Sequence, residues 1–210
     1  MFTGIVEGIG SLSEVKATGG GFRMRIHTPV SSVMKVGDSL AVNGVCLTVV
    51  LVEGEHVIAD VGPETARVTT FAALQRGQEV NLERPMRGDG RVDGHFVLGH
   101  VDGVGVIEEI RTEGESRWLT IGFQPILAPY FIRKGSVAVD GVSLTIAGLG
   151  ERQFDVMVIP FTMEHTNLGS IQRGERVNLE CDMVGKYVVR AAELAGLTLS
   201  AVRPDKSYEG

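Results

Sequence analysis

The sequence predicts an all-β fold in which two similar units of short strands follow one another along the chain. Three observations support this prediction. Sequence blocks recur in the same order at nearly constant spacing, apolar residues alternate or run in stretches of strand length, and 28 glycines mark frequent tight turns. Short strands at close spacing in units of this size are typical of a small closed or partly closed antiparallel barrel.

Four blocks of the first half return in the second half. Residues 4–10 return as 99–105, an offset of 95, and residues 42–49, 61–65 and 76–83 return as 139–146, 158–162 and 173–180, an offset of 97. Two units of domain size indicate a tandem duplication rather than a solenoid. Because residues 87–91 are glycine-rich and charged, as linkers are, we expect domains at 1–90 and 91–183, followed by a helix and tail at 184–210.

Within each unit the strand signals follow in order. Residues 37–50 are rich in Val, Leu and Thr and are interrupted at Asn43-Gly44, a strong hairpin signal that Asp140-Gly141 repeats. Further strands are predicted at 22–27, 57–61, 118–123 and 154–159. The one predicted helix lies at 184–199, where apolar residues recur at helical intervals. Its apolar character makes it a candidate for contacts between subunits.

Composition narrows the class of protein. The net charge of −6 argues against a nucleic-acid partner, which would need a basic surface. The N-terminal residues lack the basic and apolar regions of a signal peptide, and no stretch reaches the roughly 18 apolar residues of a membrane helix. We therefore expect a cytoplasmic protein that does not bind membranes. Cys46 and Cys181 have no CxxC spacing, so neither a disulfide nor a metal site is expected.

Three sets of motifs together resemble the riboflavin synthase family. They are Met-Phe-Thr-Gly-Ile-Val-Glu at 1–7, the pair Asn-Gly-Val-Cys-Leu-Thr at 43–48 and Asp-Gly-Val-Ser-Leu-Thr at 140–145, and Gly-His-Phe-Val-Leu-Gly-His-Val-Asp-Gly at 94–103. The resemblance runs from Met1 to about Tyr187. It implies two six-stranded Greek-key barrels, a C-terminal helix and a homotrimer held partly by those helices. An association with lumazine synthase is a further expectation.

The implied activity is the dismutation of two 6,7-dimethyl-8-ribityllumazine molecules into riboflavin and 5-amino-6-(D-ribitylamino)uracil by transfer of four carbons. The resemblance places one lumazine in each barrel, with catalysis where the first barrel of one subunit faces the second barrel of its neighbour. Holding two identical substrates face to face contributes on the order of 7–11 kcal/mol. Because the ring acidifies its own C7 methyl group, modest acid–base help suffices, and no cofactor or metal is expected.

The resemblance also implies which residues form each pocket, which must hold a planar ring and a hydroxyl-rich tail. The first site comprises Gly4, Ile5, Val6, Cys46, Leu47, Thr48, Asp60, Val61, Gly62, Pro63, Glu64 and Thr65. The second site comprises Gly99, His100, Val101, Lys134, Ser143, Leu144, Thr145, Val158, Ile159, Pro160, Phe161, Thr162 and Met163. Phe161 stands where the first repeat has Glu64, which argues against a polar contact with the ribityl tail at that position.

Differences between the repeats suggest catalytic roles. His100 aligns with Ile5, and Ser143 aligns with Cys46. We hypothesise that His100, with Ser143 and Thr145 nearby, assists proton transfer at the C7 methyl group.

Ser39 and Cys46 would act on the acceptor side, on water that adds to the ring. Asp140, which aligns with Asn43, and Asp182 are second-rank candidates.

Structural interpretations stand beside these roles. Asp140 precedes Gly141 and is foremost a turn residue, Cys46 in an apolar strand resembles a small buried hydrophobe, and Ser143 could bond within its own hairpin. His95 and His165 are predicted to be structural or on the surface.

Three other functions compete with the enzyme. A non-catalytic lumazine- or flavin-binding protein would tend to lose the second pocket, whose motifs are kept here. A flavin-dependent reductase would need a dinucleotide-binding α/β unit, for which there is no pattern. A purely structural barrel gives no reason for both repeats to keep the same polar motifs.

Overall fold

A computed structural model of the chain describes residues 1–197. The strands of this part are β1 (Gly8–Thr18), β2 (Gly21–His27), β3 (Ser39–Val42), β4 (Val45–Glu53), β5 (His56–Val61), β6 (Glu79–Glu83), β7 (Gly103–Glu113), β8 (Ser116–Gly122), β9 (Ser136–Val139), β10 (Val142–Leu149), β11 (Gln153–Val158) and β12 (Arg176–Cys181). The helices are α1 (Pro63–Val68), α2 (Pro160–His165) and α3 (Met183–Leu194), with 3₁₀ turns at Ser31–Val33, Thr70–Ala73, Pro125–Tyr130 and Asn167–Gly169.

The strands form two closed antiparallel barrels with the same strand order. The first barrel runs β1-β2-β5-β4-β3-β6 and closes because β6 pairs with both β1 and β3. The second runs β7-β8-β11-β10-β9-β12 and closes because β12 pairs with both β7 and β9. The predicted pair of six-stranded Greek-key barrels is thereby confirmed. The domain limits at residues 90 and 183 stay a prediction.

The two predicted hairpin turns are present and have left-handed backbones. Asn43 and Gly44 have φ of 44° and 75°, and Asp140 and Gly141 have φ of 45° and 79°. Two consecutive positive φ values are what a two-residue hairpin turn of the favoured hand requires. The turns join β3 to β4 and β9 to β10 with the registers Val42–Val45 and Val139–Val142.

Each barrel has its own apolar core, and a smaller cluster joins the two. The first core includes Leu12, Met24 and Ile26, and the second includes Ile107 and Phe154. The joining cluster contains Phe2, Ala41, Val97 and Ala138. Phe2, which is fully buried, exchanges main-chain hydrogen bonds with Val97 at 2.7 and 3.1 Å. The N-terminal residues are therefore fixed at the barrel junction.

The predicted C-terminal helix is present but shorter than expected. Helix α3 begins after Asp182, whose side chain accepts a hydrogen bond from the Val184 amide. It ends before Gly196, which has φ of 71°. The amides of Gly196 and Leu197 donate to the carbonyls of Glu193 and Ala192, a Schellman motif that stops the helix. Residue 199, where the predicted helix ended, and the tail from 198 to 210 lie outside the described residues.

Helices α1 and α2 were not predicted. Each has six residues and begins with a proline, Pro63 or Pro160, at its first turn. Proline is favoured there because the amide it lacks would have no intrahelical partner. Within residues 1–197, no helix is long and apolar enough to cross a membrane.

Candidate functional site

The barrels meet through a polar network that repeats itself under an approximate two-fold axis. The main-chain amides of Asn81 and Asn178 donate to the side chains of Asn43 and Asp140, at 2.7 and 2.8 Å. The side-chain amides of Asn81 and Asn178 cross to the carbonyl oxygens of Asp140 and Asn43, both at 2.9 Å. Asn167 breaks the symmetry by donating to the second carboxylate oxygen of Asp140, at 3.1 Å.

This network explains the position of Asp140, one of the predicted catalytic candidates. Its side chain is 4% exposed, and burial raises its pKa to about 7 although hydrogen bonds from Asn178 and Asn167 act in the opposite direction. It lines a cleft of about 350 Å³ between the barrels. Its position therefore favours the structural interpretation, a turn residue that also holds the barrels together.

Two buried carboxylates, which are not among the predicted site residues, hold the segments that precede the barrels. Glu83 accepts hydrogen bonds from the Thr3 amide at 2.6 Å, the Thr3 hydroxyl at 2.8 Å and the Gly4 amide at 3.0 Å. Glu180 accepts from the amides of Leu98, Gly99 and His100 at 2.6, 2.9 and 3.0 Å. The signal was in the sequence, because Glu83 and Glu180 end the same repeated block at an offset of 97.

The environment of these two carboxylates is unusual for ionised groups. Glu83 is 6% exposed and Glu180 is 2% exposed. Burial raises the pKa of both groups, and the amide donors lower it again. Each carboxylate therefore serves as an acceptor for main-chain amides that would otherwise be buried without partners. This fixes the backbone that carries Ile5 in one repeat and His100 in the other.

The segments held in this way cross to the opposite barrel. The carbonyl of Gly4 accepts a hydrogen bond from the Ser143 amide at 2.7 Å, and the carbonyl of Gly99 accepts one from the Cys46 amide at 2.9 Å. A β-carbon on Gly4 would lie 2.6 Å from that of Ser143, and one on Gly99 would lie 2.5 Å from that of Cys46. Only glycine permits such an approach.

Val6 and Val101, two residues after Gly4 and Gly99, also pack against the opposite barrel. Val6, from the segment before the first barrel, packs against the core of the second. Val101, from the segment before the second barrel, packs against the core of the first. The predicted sites group Gly4 with Cys46 and Gly99 with Ser143, so the structure exchanges these partners. Ile5 and His100 both point to solvent at the edge of the exchanged contacts, and Ile5 is 45% exposed.

The strand residues of the predicted sites lie on equivalent positions of β4 and β10. Thr48 and Thr145 are exposed, and Cys46 and Ser143 are half-buried. Leu47 is buried and Leu144 is half-buried against the second core. Ser39 pairs with Thr48 across the β3–β4 hairpin. Ser39 also lines a cleft of about 560 Å³ together with Ile5 and Glu83.

The remaining predicted residues lie at the ends of β5 and β11 and on the short helices that follow. Asp60 forms a surface ion pair with Arg23, whose guanidinium lowers the pKa of that carboxyl, and Glu64 pairs with Arg67 on its own helix. Phe161 is 66% exposed and stacks on His165, with ring centroids 4.1 Å apart. The exposed positions are Gly62, Pro63, Ile159 and Pro160, the half-buried ones are Thr65, Thr162 and Met163, and Val61 and Val158 are buried.

Lys134, the remaining residue of the second predicted site, has φ of 65° and is exposed. Its amide donates to the Ile146 carbonyl at 2.8 Å.

His95, which was predicted to be structural or on the surface, is buried. Its ring is 8% exposed, and Nδ1 lies 2.7 Å from the Ser143 hydroxyl. Burial lowers the pKa of His95, and the charge of Asp182 partly opposes that shift. The structure thus brings the hydroxyl of Ser143, a predicted site residue, to a neutral imidazole, and the charge of Asp182 affects the pKa of that imidazole. The Ser143 hydroxyl bonds to this ring, which argues against a bond confined to its own hairpin.

The donor groups of the two sites are not arranged as metal ligands. In the described residues, no three His, Cys, Asp or Glu side chains are grouped in a way that could hold a metal ion. The groups available for chemistry are hydroxyls, imidazoles, a thiol and main-chain amides.

Comparison with known proteins gives the same picture of a duplicated domain. A sequence model of the lumazine binding domain matches the chain twice, at residues 3–85 and 98–182. The chain is 44% identical to a riboflavin synthase of Actinobacillus pleuropneumoniae over 189 residues, which cover 90% of this chain and 88% of that protein. It is 45% identical to a riboflavin synthase of Mycobacterium tuberculosis over 202 residues, which cover 93% and 100%.

Solved structures show the same fold in proteins with bound ligands. The chain is similar to LumP complexed with riboflavin, with a TM-score of 0.81 and 28% sequence identity over 86% of this chain and 99% of that one. It is similar to LumP complexed with 6,7-dimethyl-8-(1′-D-ribityl)lumazine with a TM-score of 0.77, the same identity and the same coverage.

Proposed function

The chain belongs to the riboflavin synthase family, whose lumazine-binding domain it carries twice, and from that premise we propose how its two barrels perform the reaction. The chain is an enzyme of this family: it converts two 6,7-dimethyl-8-ribityllumazine molecules into riboflavin and 5-amino-6-(D-ribitylamino)uracil by moving a four-carbon unit from one to the other. The observation that supports the mechanism is the presence of two equivalent sets of pocket residues about an approximate two-fold axis.

The pockets in this proposal follow the exchanged contacts. One contains Gly4, Ile5 and Val6 with Ser143 to Thr145 and the start of α2, and the other contains Gly99, His100 and Val101 with Cys46 to Thr48 and the start of α1. In each pocket, a glycine carbonyl fixes the edge of the strand, and the exposed threonine, Thr145 or Thr48, can contact the ring or the ribityl tail.

Two pockets with equivalent backbones but different side chains suit a reaction in which two identical molecules play different parts. His100 is exposed where the first repeat has Ile5, so one lumazine meets an imidazole and the other an apolar side chain. We assign His100 to proton transfer at the C7 methyl group of the lumazine that it shares with Cys46, and we assign Ser39 and Cys46 to this same molecule, as the one that accepts the four carbons. The orientation of the two lumazines supplies most of the rate acceleration in this proposal, because the ring itself acidifies the methyl group and little acid–base help is needed.

The proposal includes a homotrimer in which pockets of neighbouring subunits face each other. Helix α3 supports it because four apolar side chains along one helix are open to solvent in the single chain. They are Val184 at 60%, Tyr187 at 70%, Val188 at 62% and Leu194 at 73% exposure. Substituting Val188→Glu should yield monomers by light scattering and abolish turnover, whereas Leu51→Glu, at an apolar position 42% exposed on the first barrel, should do neither.

A cytoplasmic location and an association with lumazine synthase complete the proposal. The first rests on the similarity to biosynthetic enzymes. The second rests on the fact that the substrate here is a lumazine, which an enzyme of that name makes. Co-purification of the two proteins at cellular concentrations would support the association, and independent migration would refute it.

The decisive experiment incubates the purified protein with 6,7-dimethyl-8-ribityllumazine alone. We expect riboflavin to accumulate by absorbance with one ribitylaminouracil per riboflavin by chromatography, and titration to give two bound lumazines per chain. A non-catalytic carrier, the alternative suggested by the similarity to LumP, would bind the lumazine and release neither product.

A further inference from the structure

The environment of Ser143 differs from that of its counterpart Cys46 although the two backbones are held alike. Both amides donate to a glycine carbonyl of the crossing segment, Gly4 for Ser143 and Gly99 for Cys46. The Ser143 side chain has a histidine partner: His95 Nδ1 lies 2.7 Å from the hydroxyl oxygen. A thiol at the equivalent position is a weaker hydrogen-bonding group.

His95 is held firmly enough to orient its partner. Its amide donates to the Thr3 carbonyl at 3.1 Å, in the segment that Glu83 anchors. The preceding residue is Gly94, where a β-carbon would clash with the Thr3 carbonyl and come within 2.9 Å of the Ser143 β-carbon. The backbone on both sides of the Ser143–His95 hydrogen bond is therefore closely packed.

The His95 imidazole is a buried polar group with an unsatisfied nitrogen. It is buried, and its Nε2 has no hydrogen-bond partner in the described part of the chain. Burial lowers its pKa, so at neutral pH the ring carries one proton and offers one donor and one acceptor nitrogen. Buried polar atoms without partners are rare in folded proteins and often mark functional positions.

We propose that His95 is a positioning residue that orients the Ser143 hydroxyl towards the lumazine bound beside Gly4, and that it makes this pocket chemically different from the one at Cys46. The inference rests on the proposed function, in which Ser143 contacts the substrate. His95 acts through the serine: it fixes the direction of the Ser143 hydroxyl, and this hydroxyl contacts the lumazine in the pocket that does not contain His100.

The first test compares two substitutions that place an amide at different atoms of the ring. His95→Asn keeps a hydrogen-bonding group near Nδ1, while His95→Gln keeps one near Nε2 and fills more of the space. We expect His95→Gln to lower kcat about tenfold, the effect of losing one hydrogen bond in the reacting state, with the lumazine stoichiometry unchanged. His95→Asn should retain most of kcat.

A double-mutant cycle separates this role from simple packing. Ser143→Ala alone should lower kcat as His95→Gln does, and His95→Gln should have no further effect in the Ser143→Ala background. The matched control is His56→Asn, which removes another His–Ser contact, the one between His56 Nε2 and the Ser13 hydroxyl at 3.1 Å on the first barrel. We expect it to change thermal stability and leave kcat and KM as in the wild type.

Separate outcomes refute the two proposals. An inactive wild-type protein would refute the proposed function. An active wild type with either a kcat within twofold for His95→Gln or multiplicative losses in the cycle would refute the role of His95 alone. If the His95 variants do not fold, Ser143→Cys leaves the histidine in place and gives the pocket the side chain of its counterpart. Its kcat should fall about tenfold, and an unchanged kcat would again refute the inference.

Discussion

Gly44 and Gly141 lie back to back where the two barrels meet, each at the second position of its hairpin turn. A β-carbon on either residue would come within 2.7 Å of the main-chain nitrogen of the other. The repeats thus use the same Asn/Asp-Gly turn for two purposes. The turn closes a hairpin through its positive φ values, and it lets two backbones touch across the approximate two-fold axis.

Gly141→Ala should separate these purposes. The left-handed backbone alone costs about 1–2 kcal/mol for an L-residue, and the clash with Gly44 adds a displacement of packed backbone. Gly54→Ala is the matched control, because Gly54 also has positive φ, 56°, but a β-carbon there would meet no atom within 4 Å. We expect Gly141→Ala to lower the free energy of unfolding in urea clearly more than Gly54→Ala. Equal losses would show that the barrels do not depend on this contact.

Glu180→Gln should weaken the segment that carries His100. The carboxylate accepts three amide hydrogen bonds, and a carboxamide of the same shape places an N–H group against at least one of them. A loss of about 1–3 kcal/mol in the free energy of unfolding is expected for a buried donor left without its acceptor. Turnover should fall as well, because the His100 backbone is no longer fixed.

The control for this change is Glu7→Gln, which removes a partly exposed carboxylate paired with Arg84. Such a pair contributes about 0–1 kcal/mol. Urea unfolding and steady-state kinetics of both variants check the prediction. A Glu180→Gln protein as stable and active as Glu7→Gln would contradict the anchoring role.

Asp140 should give the folded protein a measurable dependence on pH. Burial raises its pKa to about 7 in the folded state, above the value of about 3.9 for an unfolded aspartate. The folded state therefore holds this proton more tightly, and the contribution of Asp140 to stability falls as pH rises from about 4 to 7 and is constant above. Each pKa unit corresponds to about 1.4 kcal/mol.

Asp140→Asn, which supplies the residue found at the equivalent position of the first repeat, should remove this slope. Urea unfolding at pH 5 and pH 8 measures this slope. The free energy of unfolding of the variant relative to that of the wild type should be higher at pH 8 than at pH 5. Asp89→Asn serves as control, because that exposed carboxyl has a pKa lowered by Arg87 and should not reproduce the effect. Identical pH slopes in Asp140→Asn and the wild type would contradict a buried, titrating Asp140.

The repeat made most of the fold predictable, and it also explains what was missed. Equivalent blocks reveal which residues share a structural position, as Asn43 and Asp140 do. They do not reveal whether Gly4 contacts Cys46 of its own repeat or Ser143 of the other, because both arrangements give the same sequence pattern. The exchange is a property of tertiary packing, which the local sequence does not encode.

Helices α1 and α2 escaped prediction because six residues are too few to show a helical period. Their one local signal was a proline at the first turn, which also fits a loop. The predicted helix ran to residue 199 and passed over Gly196, although glycine is the residue expected just beyond a helix C-terminus. The burial of His95 could not be predicted, because it depends on the segment of Thr3 and on Ser143, which are distant in sequence.

Lys186→Met should loosen helix α3 from the segment that carries His100. Lys186 Nζ lies 2.7 Å from Asp102 Oδ2, and both side chains are about one quarter exposed, at 26% and 24%. The same oxygen accepts the Cys181 amide at 2.7 Å, so one carboxylate joins the helix, the end of β12 and the residues next to His100. Removing the ammonium group leaves that half-buried charge without its counter-ion, which should cost about 1–3 kcal/mol, between the values for exposed and buried pairs.

The control is Arg190→Met, which breaks the exposed pair with Glu193 on the same helix and should cost less than about 0.5 kcal/mol. Hydrogen exchange of the peptide spanning 98–102 provides the direct measurement. Faster exchange in Lys186→Met than in Arg190→Met is expected, because the segment keeps its Glu180 anchor but loses its tie to the helix. Equal protection in the two variants would mean that the helix does not stabilise the segment, and that any effect of α3 on turnover must come through its exposed apolar face.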